Sequence, residues 1–490
     1  MKYIAKFFRI LTASVAAVVA PVVITVLGLA WPALSYGDDL YAILQLALEN
    51  DPLLKQAEAS YRANRESGVG QSLAALLPTL GVQGTSSRLT SGPTDDVYGP
   101  MVDPMNREVI LNPDTGEPAI FKLQDAHSFH PGLNNHNWGV SLTQSIVNLS
   151  NWYNFRSAQA SERAGAMNLA AQEQELIMRV AVAYFDVLRA LDTLDTNLQE
   201  EEAALRSLEQ TRQRQAVGLV AVTDVYDGQA AYDLARNTTI LQQDILQSRY
   251  EALEAITGQP HPNLDLLRDD FPIIAVAEEI DDWEEQATDN NLALAAAEYN
   301  LEASQKSLRA RQSDHLPTIS MNSQFGHSVT ADIVSQGIQV GGGASDRTSL
   351  AVTMSIPLYT GGANSSRRRA ARYNVIAAQE SLEATKRQLT QNIRNAYRRV
   401  NTDVLVIAQR QQSITSAQSR LDATELGAEV GTRNIVEVLL ARENLYRALR
   451  QYADARYNYV IDFLALRQVA GVLTPDDIIA LNEWLQTPAN

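Results

Sequence analysis

The chain has 490 residues, 45% of them hydrophobic, and contains no cysteine. That length suits two or three ordinary domains or one extended architecture. Without cysteine the chain has no disulfides, no thiolate metal site and no lipid anchor on a thiol. The formal charge is −17, and Lys and Arg form no large patch, so nucleic acid is not an expected partner.

The N-terminus has the layout of a secretory signal peptide. Basic residues precede an apolar run at 11–31, and small residues follow it. We assign 1–37 to a removed signal, with cleavage after Ser35 or Gly37; a retained membrane anchor is the alternative. Later segments lack the roughly 20 apolar residues of a membrane helix, so an exported chain of this kind is either soluble or a β-barrel.

Long helices dominate the predicted mature chain. Apolar residues between Ile177 and Leu198 recur at alternating spacings of three and four, which is the heptad pattern of a coiled-coil seam. A helix is predicted from about Ser150 to Ala216, roughly 100 Å long at 1.5 Å per residue. A second is predicted from about Asn364 to Leu426. Shorter helices are predicted from about Leu40 to Leu76 and from about Glu284 to Ser313.

Each long helix ends at a Val-Gly turn, at 217–218 and at 430–431, and another helix follows at once. The chain is therefore predicted to form two antiparallel helical hairpins. Thr223 or Asp224 suits the N-cap of the first returning helix, and Asn434 suits that of the second.

Between the helices the hydrophobic period changes to two. Each run alternates apolar residues with small polar ones over about ten residues, as in a barrel strand with lipid outside and water inside. A soluble sheet lying on a core is the alternative, but the helices have seams of their own and leave the apolar face uncovered. The predicted strands lie at about 79–90, 136–147, 318–329 and 347–358.

Four strands are too few for a barrel with a water-filled lumen, because bacterial barrels begin at about eight. Three copies would supply about twelve strands and about twelve tube helices. The predicted fold class is an α+β membrane protein, in which each chain gives four strands to a trimeric transmembrane β-barrel continuous with a long α-helical coiled-coil barrel. Candidates for interfacial aromatic anchors are Tyr98, Trp138, Trp152 and Tyr359.

The mature chain contains the same landmarks twice, in the same order. Leu-Pro-Thr occurs at 77–79 and at 316–318, and proline at these junctions ends a helix before a strand. The stretch at 217–225 has its counterpart at 430–438. The predicted divisions are a first repeat at 38–270, a second at 271–473 and a C-terminal tail at 474–490.

These fragments resemble the TolC family of outer-membrane efflux and type I secretion ducts. Leu-Thr-Gln-Ser-Ile at 142–146, Ala-Arg-Tyr-Asn-Tyr at 455–459 and the tail motif at 477–482 add to the resemblance. It covers nearly all of the mature sequence, from Leu40 to about Leu485. It implies a homotrimer with a twelve-stranded barrel, a twelve-helix periplasmic tube and an equatorial band built from the short helices and the tail.

The resemblance implies an exit duct in the outer membrane of a Gram-negative bacterium, with no enzymatic activity and no cofactor or metal. Such a duct serves tripartite drug efflux, type I protein secretion or both, and docks a periplasmic adaptor and an inner-membrane transporter. The alternative is a periplasmic coiled-coil adaptor or another structural envelope protein, which would share the signal peptide and the heptads. The period-two runs and the missing lipid-anchor cysteine weigh against that alternative.

The resemblance also implies a constriction at the Val-Gly turns, where the tube narrows. Glu437 falls on an acidic constriction position, and three copies would form a carboxylate ring that attracts cations. A second acidic position of the family is occupied here by Leu440. One carboxylate ring is therefore expected instead of two, with weaker block of the pore by cations.

A gating lock is implied between the two hairpins. Arg433 of the second hairpin would bond to Asp224 and Thr223 of the first by charge-assisted contacts that are strong yet breakable. The family's tyrosine in this lock is replaced here by Ala428, which predicts a less firmly held closed state. An ordinary exposed salt bridge at a helix end is the alternative, worth about 0–1 kcal/mol.

Overall fold

The computed structural model describes residues 39–89, 96–124, 133–330, 333–335, 338–340 and 342–487. The predicted signal peptide at 1–37 therefore lies outside the described residues. Within them, none of the helices combines the length and the apolar character that crossing a membrane would take.

The described chain begins with short helices rather than one continuous helix. They are α1 (Leu40–Asn50), α2 (Pro52–Arg65), a π-helical turn (Glu66–Gly70) and α3 (Gln71–Ala74). The single helix predicted over 40–76 is broken at Asp51. The Asp51 carboxylate accepts a hydrogen bond from the Leu54 N–H at 2.8 Å, and Pro52 takes the first helical position. Both features start a new helix.

Strands and the first helical hairpin follow. The strands are β1 (Thr79–Leu89), β2 (Val97–Pro100), β3 (Ile120–Gln124) and β4 (Leu133–Val147). The hairpin consists of α4 (Leu149–Ala216), which has 68 residues, and α5 (Val222–Thr257). Ala221 is the N-cap of α5, so the predicted capping role of Thr223 or Asp224 is wrong. Both residues lie inside the first turn, where the Asp224 carboxylate complements the helix dipole.

The order of strands and hairpin then recurs. The elements are β5 (Leu266–Leu267), α6 (Ile280–Asn290), α7 (Leu292–Ser313), β6 (Thr318–Thr330), β7 (Ile333–Ser335), β8 (Ile338–Val340), β9 (Gly343–Ser355), α8 (Ala363–Glu429) and α9 (Ile435–Val469). The helix predicted over 284–313 is divided at Asn291, whose side chain accepts from the Leu294 N–H at 3.0 Å. Asn434 caps α9, as predicted, by accepting from the Glu437 N–H at 2.9 Å.

The four long strands form one antiparallel sheet in the order β1-β4-β6-β9. Its register sorts the side chains by face. One row crosses the sheet as Leu80, Leu142, Ser323 and Leu350, and the neighbouring row on the opposite face is Gly81, Ser141, Gln324 and Ser349. One face is thus mainly apolar and the other is small and polar. In the single chain the apolar face is open, and Leu80, Val82 and Leu350 are 70% exposed or more.

The main hydrophobic core lies about midway along the helical hairpins. Tyr184, Phe185 and Leu188 of α4 are fully buried there against α1 and α9. The C-terminal segment closes this core with α10 (Pro475–Asn482) and β10 (Leu485–Gln486), and β10 pairs with β5. The short helices and the tail therefore pack around the middle of the long hairpins.

Gly471 follows the end of α9 and is expected to be a sensitive backbone position. Its φ is +76°, and a Cβ built there would collide with the Asn290 carbonyl oxygen. Gly258 after α5 is the matched control, because its φ is +77° but the nearest atom to a Cβ is Asn50 Cβ at 3.9 Å. Gly258→Ala should cost only the left-handed strain of about 1–2 kcal/mol. Gly471→Ala should cost clearly more, measured by denaturant unfolding; equal losses would contradict this.

Candidate functional site at the helical tip

The tip comprises the two turns between the long helices, at 217–221 and at 430–434. Gly218 and Gly431 each have φ of +78° with open space where a side chain would lie. The Leu219 N–H donates to the Arg214 carbonyl at 2.9 Å, and the Thr432 N–H donates to the Gly427 carbonyl at 2.8 Å. Each turn thus ends its helix with a left-handed glycine, which satisfies carbonyls that the helix leaves free.

Two of the predicted site residues are joined directly. The Arg433 guanidinium Nη1 lies 2.6 Å from the Glu437 carboxylate Oε2, one helical turn further along α9. Both side chains are exposed, at 59% and 38%. An exposed pair of this spacing is worth about 0.3–0.5 kcal/mol. The predicted lock residue is therefore held by the predicted constriction residue, and only weakly.

The other predicted residues are not brought together in the single chain. Asp224 is half-buried and Thr223 is exposed. Among the residues that the structure describes, no hydrogen bond or ion pair joins Arg433 to either of them. Leu440 is 49% exposed on α9. The lock and the constriction stay predictions about the assembled protein.

Gly427, near the end of α8, is a tip residue that the sequence reasoning did not assign a role. A Cβ at this position would lie 2.7 Å from Arg433 Cγ, and the Arg433 N–H donates to the Gly427 carbonyl at 3.1 Å. The stem of Arg433 therefore crosses the backbone of α8 where only glycine leaves room. The sequence does contain a sign of this role, because Gly427 is the single glycine in a long helix.

Beyond the tip, one face of α9 is bonded to α4 of the first hairpin. We call Arg442, Tyr446 and Arg450 the α9 stripe, because they lie one helical turn apart. Arg442 donates to the Ala203 carbonyl at 2.9 Å, and the Tyr446 hydroxyl donates to the Gln199 carbonyl at 3.2 Å.

Arg450 completes the stripe. It donates to the Glu200 carboxylate at 2.6 Å and to Asn197 Oδ1 at 2.9 Å. The Arg450 and Glu200 side chains are only 25% and 15% exposed, so this contact is better shielded from water than the Arg433 pair. The stripe thus holds the shaft of the two hairpins together more firmly than the tip.

A groove of about 540 Å³ runs between α4 and the second hairpin next to the stripe. Arg206 and Arg214 lie on its α4 side, and Glu425 and Glu429 lie on its α8 side. Arg442 spans it by donating to Glu425 at 2.7 Å. Its walls therefore carry opposite charges.

A carboxyl pair lies further along the second hairpin, away from the tip. Burial raises the pKa of Asp403 on α8 to about 6, and the nearby Asp462 carboxylate on α9 adds to the rise. Arg399 acts in the opposite direction and lies 3.7 Å from Asp462. Asp403 therefore holds its proton more tightly in the folded chain than in the unfolded one.

Asp403→Asn should change stability in a pH-dependent way. A raised folded pKa contributes stability that is complete below the unfolded pKa of about 4 and is lost as pH rises through about 6. The variant should therefore melt at a higher temperature than the native protein at pH 7.5 and show no such gain at pH 4. Asp422→Asn, which removes an exposed carboxylate from the same helix, is the control for the substitution itself. If the melting temperatures of Asp403→Asn and the native protein differed by the same amount at pH 7.5 and at pH 4, this account would be contradicted.

Comparison with known proteins identifies the class of this fold. The family model described as "Outer membrane efflux protein" matches residues 43–259 and 283–472. Outer membrane protein TolC of Vibrio cholerae is 32% identical over 452 residues, covering 92% of this chain and 94% of the relative. Alkaline protease secretion protein AprF of Pseudomonas aeruginosa is 24% identical over 438 residues, which cover 88% of this chain and 84% of AprF.

A solved structure has the same fold. It is described as a membrane protein from Pseudomonas aeruginosa and superposes with a TM-score of 0.71 at 19% identity, covering 88% of this chain and 92% of that one. The family model and the TolC relative identify the class as that of the outer-membrane channel proteins. The chain belongs to the outer membrane efflux protein family, and the resemblance to TolC is confirmed. That family is one of transport channels rather than of enzymes.

Proposed function

We propose that three copies of this chain form an exit duct through the outer membrane, gated at the helical tip and serving tripartite drug efflux, type I protein secretion or both. The observation that carries the proposal is the four-stranded sheet, which has an open apolar face and ends at β1 and β9. The family description names efflux and the name of the AprF relative names protein secretion, and both support these uses of the duct.

The sheet edges are the argument for assembly. In lipid every backbone N–H and C=O must find a partner, so β1 and β9 cannot stay at open edges. If β9 of one copy pairs with β1 of the next, three sheets of four strands close into a cylinder of about twelve strands. The apolar face would then meet lipid, and the small polar face would line water.

The helices continue the same wall. Each copy supplies α4, α5, α8 and α9, so three copies would give a tube of about twelve helices. Both halves of the chain run from strands into a helical hairpin that ends in a left-handed glycine. This order supports the division into repeats at 38–270 and 271–473, with the tail from 474 joining the band around the middle of the tube.

The gate would use the weak pair at the tip. Three Glu437 carboxylates would ring the aperture, with Leu440 adding an apolar constriction. The bond between Arg433 and Glu437 is exposed and weak. Arg433 can therefore exchange it for bonds to Asp224 and Thr223 when the hairpins approach. We infer that closing moves Arg433 from Glu437 to the first hairpin.

The groove beside the α9 stripe is the proposed place for a periplasmic adaptor, which would connect the duct to an inner-membrane transporter. Its walls carry charges of both signs and lie close to the tip. A helical partner could lie in such a groove and match these charges.

The assembly is tested by adjacent residues of β9. Leu350→Lys places a charge on the proposed lipid face, where it should cost about 2–4 kcal/mol near the midplane. Ser349→Lys is the matched control on the opposite face. The native protein and the control should give heat-resistant trimers in detergent extracts of the outer membrane, and Leu350→Lys should give few. A water-soluble native single chain would contradict the duct.

The gate is tested by conductance in planar bilayers. Arg433→Ala removes the lock and should give a larger or more often open pore than the native chain. Arg447→Ala is the matched control, because Arg447 forms the same kind of exposed pair with Glu443 at 2.7 Å on the same helix. Glu437→Gln leaves Arg433 free for Asp224 and should not open the pore. Unchanged conductance of Arg433→Ala would remove this residue from the gate.

A further inference from the structure

A small group of arginines lies where the sheet gives way to the helices. We call Arg368, Arg369 and Arg372 the arginine cluster; they occupy the second and third turns of α8 and are all exposed. Arg368 and Arg372 are one turn apart on the same side of the helix, and Arg369 lies beside them. Asn364 and Ala371, on the same stretch of α8, are buried, whereas all three arginines of the cluster are exposed in the single chain.

No carboxylate neutralises the cluster within the part of the chain that the structure describes. No ion pair involves any of its three side chains there, and the neighbouring Arg367 donates only to Asn364 Oδ1 at 3.4 Å. The chain from 347 to 379 contains five arginines and neither Asp nor Glu, in a protein whose formal charge is −17. The first turn of α8 is also without an acidic residue, so no carboxylate there offsets the cluster.

Asp314 adjoins this junction, because its backbone carbonyl accepts from Asn364 Nδ2 at 3.2 Å, but its carboxylate is already engaged. Asp314 at the end of α7 accepts from the Ser150 hydroxyl at 2.7 Å and lies 3.5 Å from Arg311. It is therefore not a free counter-charge for the cluster. The local excess of positive charge is therefore open to an anion from outside the chain.

The position of the cluster indicates which anion. The apolar face of the sheet continues past β9 to Ile356 and Leu358, which are 46% and 92% exposed, and to Tyr359 at 88%. Trp152 at the start of α4 is 46% exposed, and the Arg156 guanidinium lies 5.7 Å from its ring centre. Arg368 lies only about 8 Å along the helix axis from the first residue of α8. The cluster thus begins directly below the apolar and aromatic rim.

We propose that the arginine cluster binds the phosphate headgroups of anionic phospholipids in the periplasmic leaflet. This proposal rests on the proposed function, because it places the apolar face of the sheet in the membrane. The planar guanidinium matches the phosphate oxygens with two parallel hydrogen bonds. Arginine stems can also extend along an apolar surface while the charged end stays at the interface. The cluster would fix the depth of the duct in the membrane.

Lipid binding to the purified trimer tests the proposal. Dioleoyl phosphatidylglycerol or dioleoyl phosphatidylcholine is added to the protein in a neutral detergent, and bound lipids are counted by native mass spectrometry. The native trimer should prefer phosphatidylglycerol. Replacing all three cluster arginines with Gln should weaken that binding by up to about 100-fold, at about fivefold for each basic residue near an anionic surface. The phosphatidylcholine affinity should stay unchanged.

Two further variants separate charge, position and folding. Arg236→Gln, Arg398→Gln and Arg420→Gln combined remove three exposed arginines without ion pairs elsewhere on the hairpins, and this control should keep the native preference. Replacing the cluster arginines with Lys keeps the charge but removes the paired hydrogen bonds, so the binding should fall between that of the native trimer and that of the Gln variant. Equal phosphatidylglycerol binding by the Gln variant and the native trimer would overturn the proposal. So would unchanged lipid binding with an altered ion selectivity of the pore, because the arginines would then face the lumen.

The same samples distinguish this proposal from the duct itself. Heat-resistant trimers and bilayer conductance are measured for the native protein alongside lipid binding. If the native protein conducts but its lipid preference is independent of the cluster, only the lipid proposal fails. If it forms neither trimers nor pores, the proposed function fails and the lipid proposal fails with it.

Discussion

The rest of the structure depends on one constraint, which is that backbone hydrogen bonds must be completed where water is absent. A four-stranded sheet with an open apolar face cannot meet this constraint by itself, because β1 and β9 each present a row of unpaired groups at its edge. In the proposed assembly, other copies of the same chain close the sheet. The long helices leave the ends of these strands, so whatever fixes the strands around a cylinder also fixes the helices around a tube.

Stability is distributed unevenly along the helical hairpins. Midway along the hairpins, buried aromatic and aliphatic side chains such as Tyr184 and Leu188 pack the short helices and the tail against the shaft. Closer to the tip, the α9 stripe joins the hairpins through partly shielded hydrogen bonds. At the turns themselves the Arg433 pair is exposed and weak. A firm shaft with a loosely held end is what a gate at the tip requires, because the end can then change partners without disturbing the core.

Charged groups are also distributed unevenly along the chain. The acidic excess of the chain is interrupted where the sheet meets the helices, and the arginine cluster begins just below the exposed apolar and aromatic rim. Further along the second hairpin, the Asp403 and Asp462 carboxyl groups lie close enough for burial and mutual repulsion to keep a proton on Asp403 up to about pH 6. The junction of sheet and helices thus carries a positive charge that suits anions, whereas the helical hairpin carries a carboxyl pair that responds to protons.

The sequence alone determined the features that depend on local periodicity. Alternation of period two marked the strands, heptads marked the hairpins, and the Val-Gly pairs marked both turns, because each pattern reports on consecutive residues. The sequence patterns did not reveal the helix breaks at Asp51 and Asn291. Each break depends on one capping residue inside a run of apolar residues, which periodicity does not detect. Only the tertiary structure decided which side chains meet. Arg450 and Glu200 lie 250 residues apart in the sequence and yet form an ion pair. In the single chain Arg433 bonds to Glu437, one turn along the same helix, and its bond to Asp224 stays a prediction about the assembled protein.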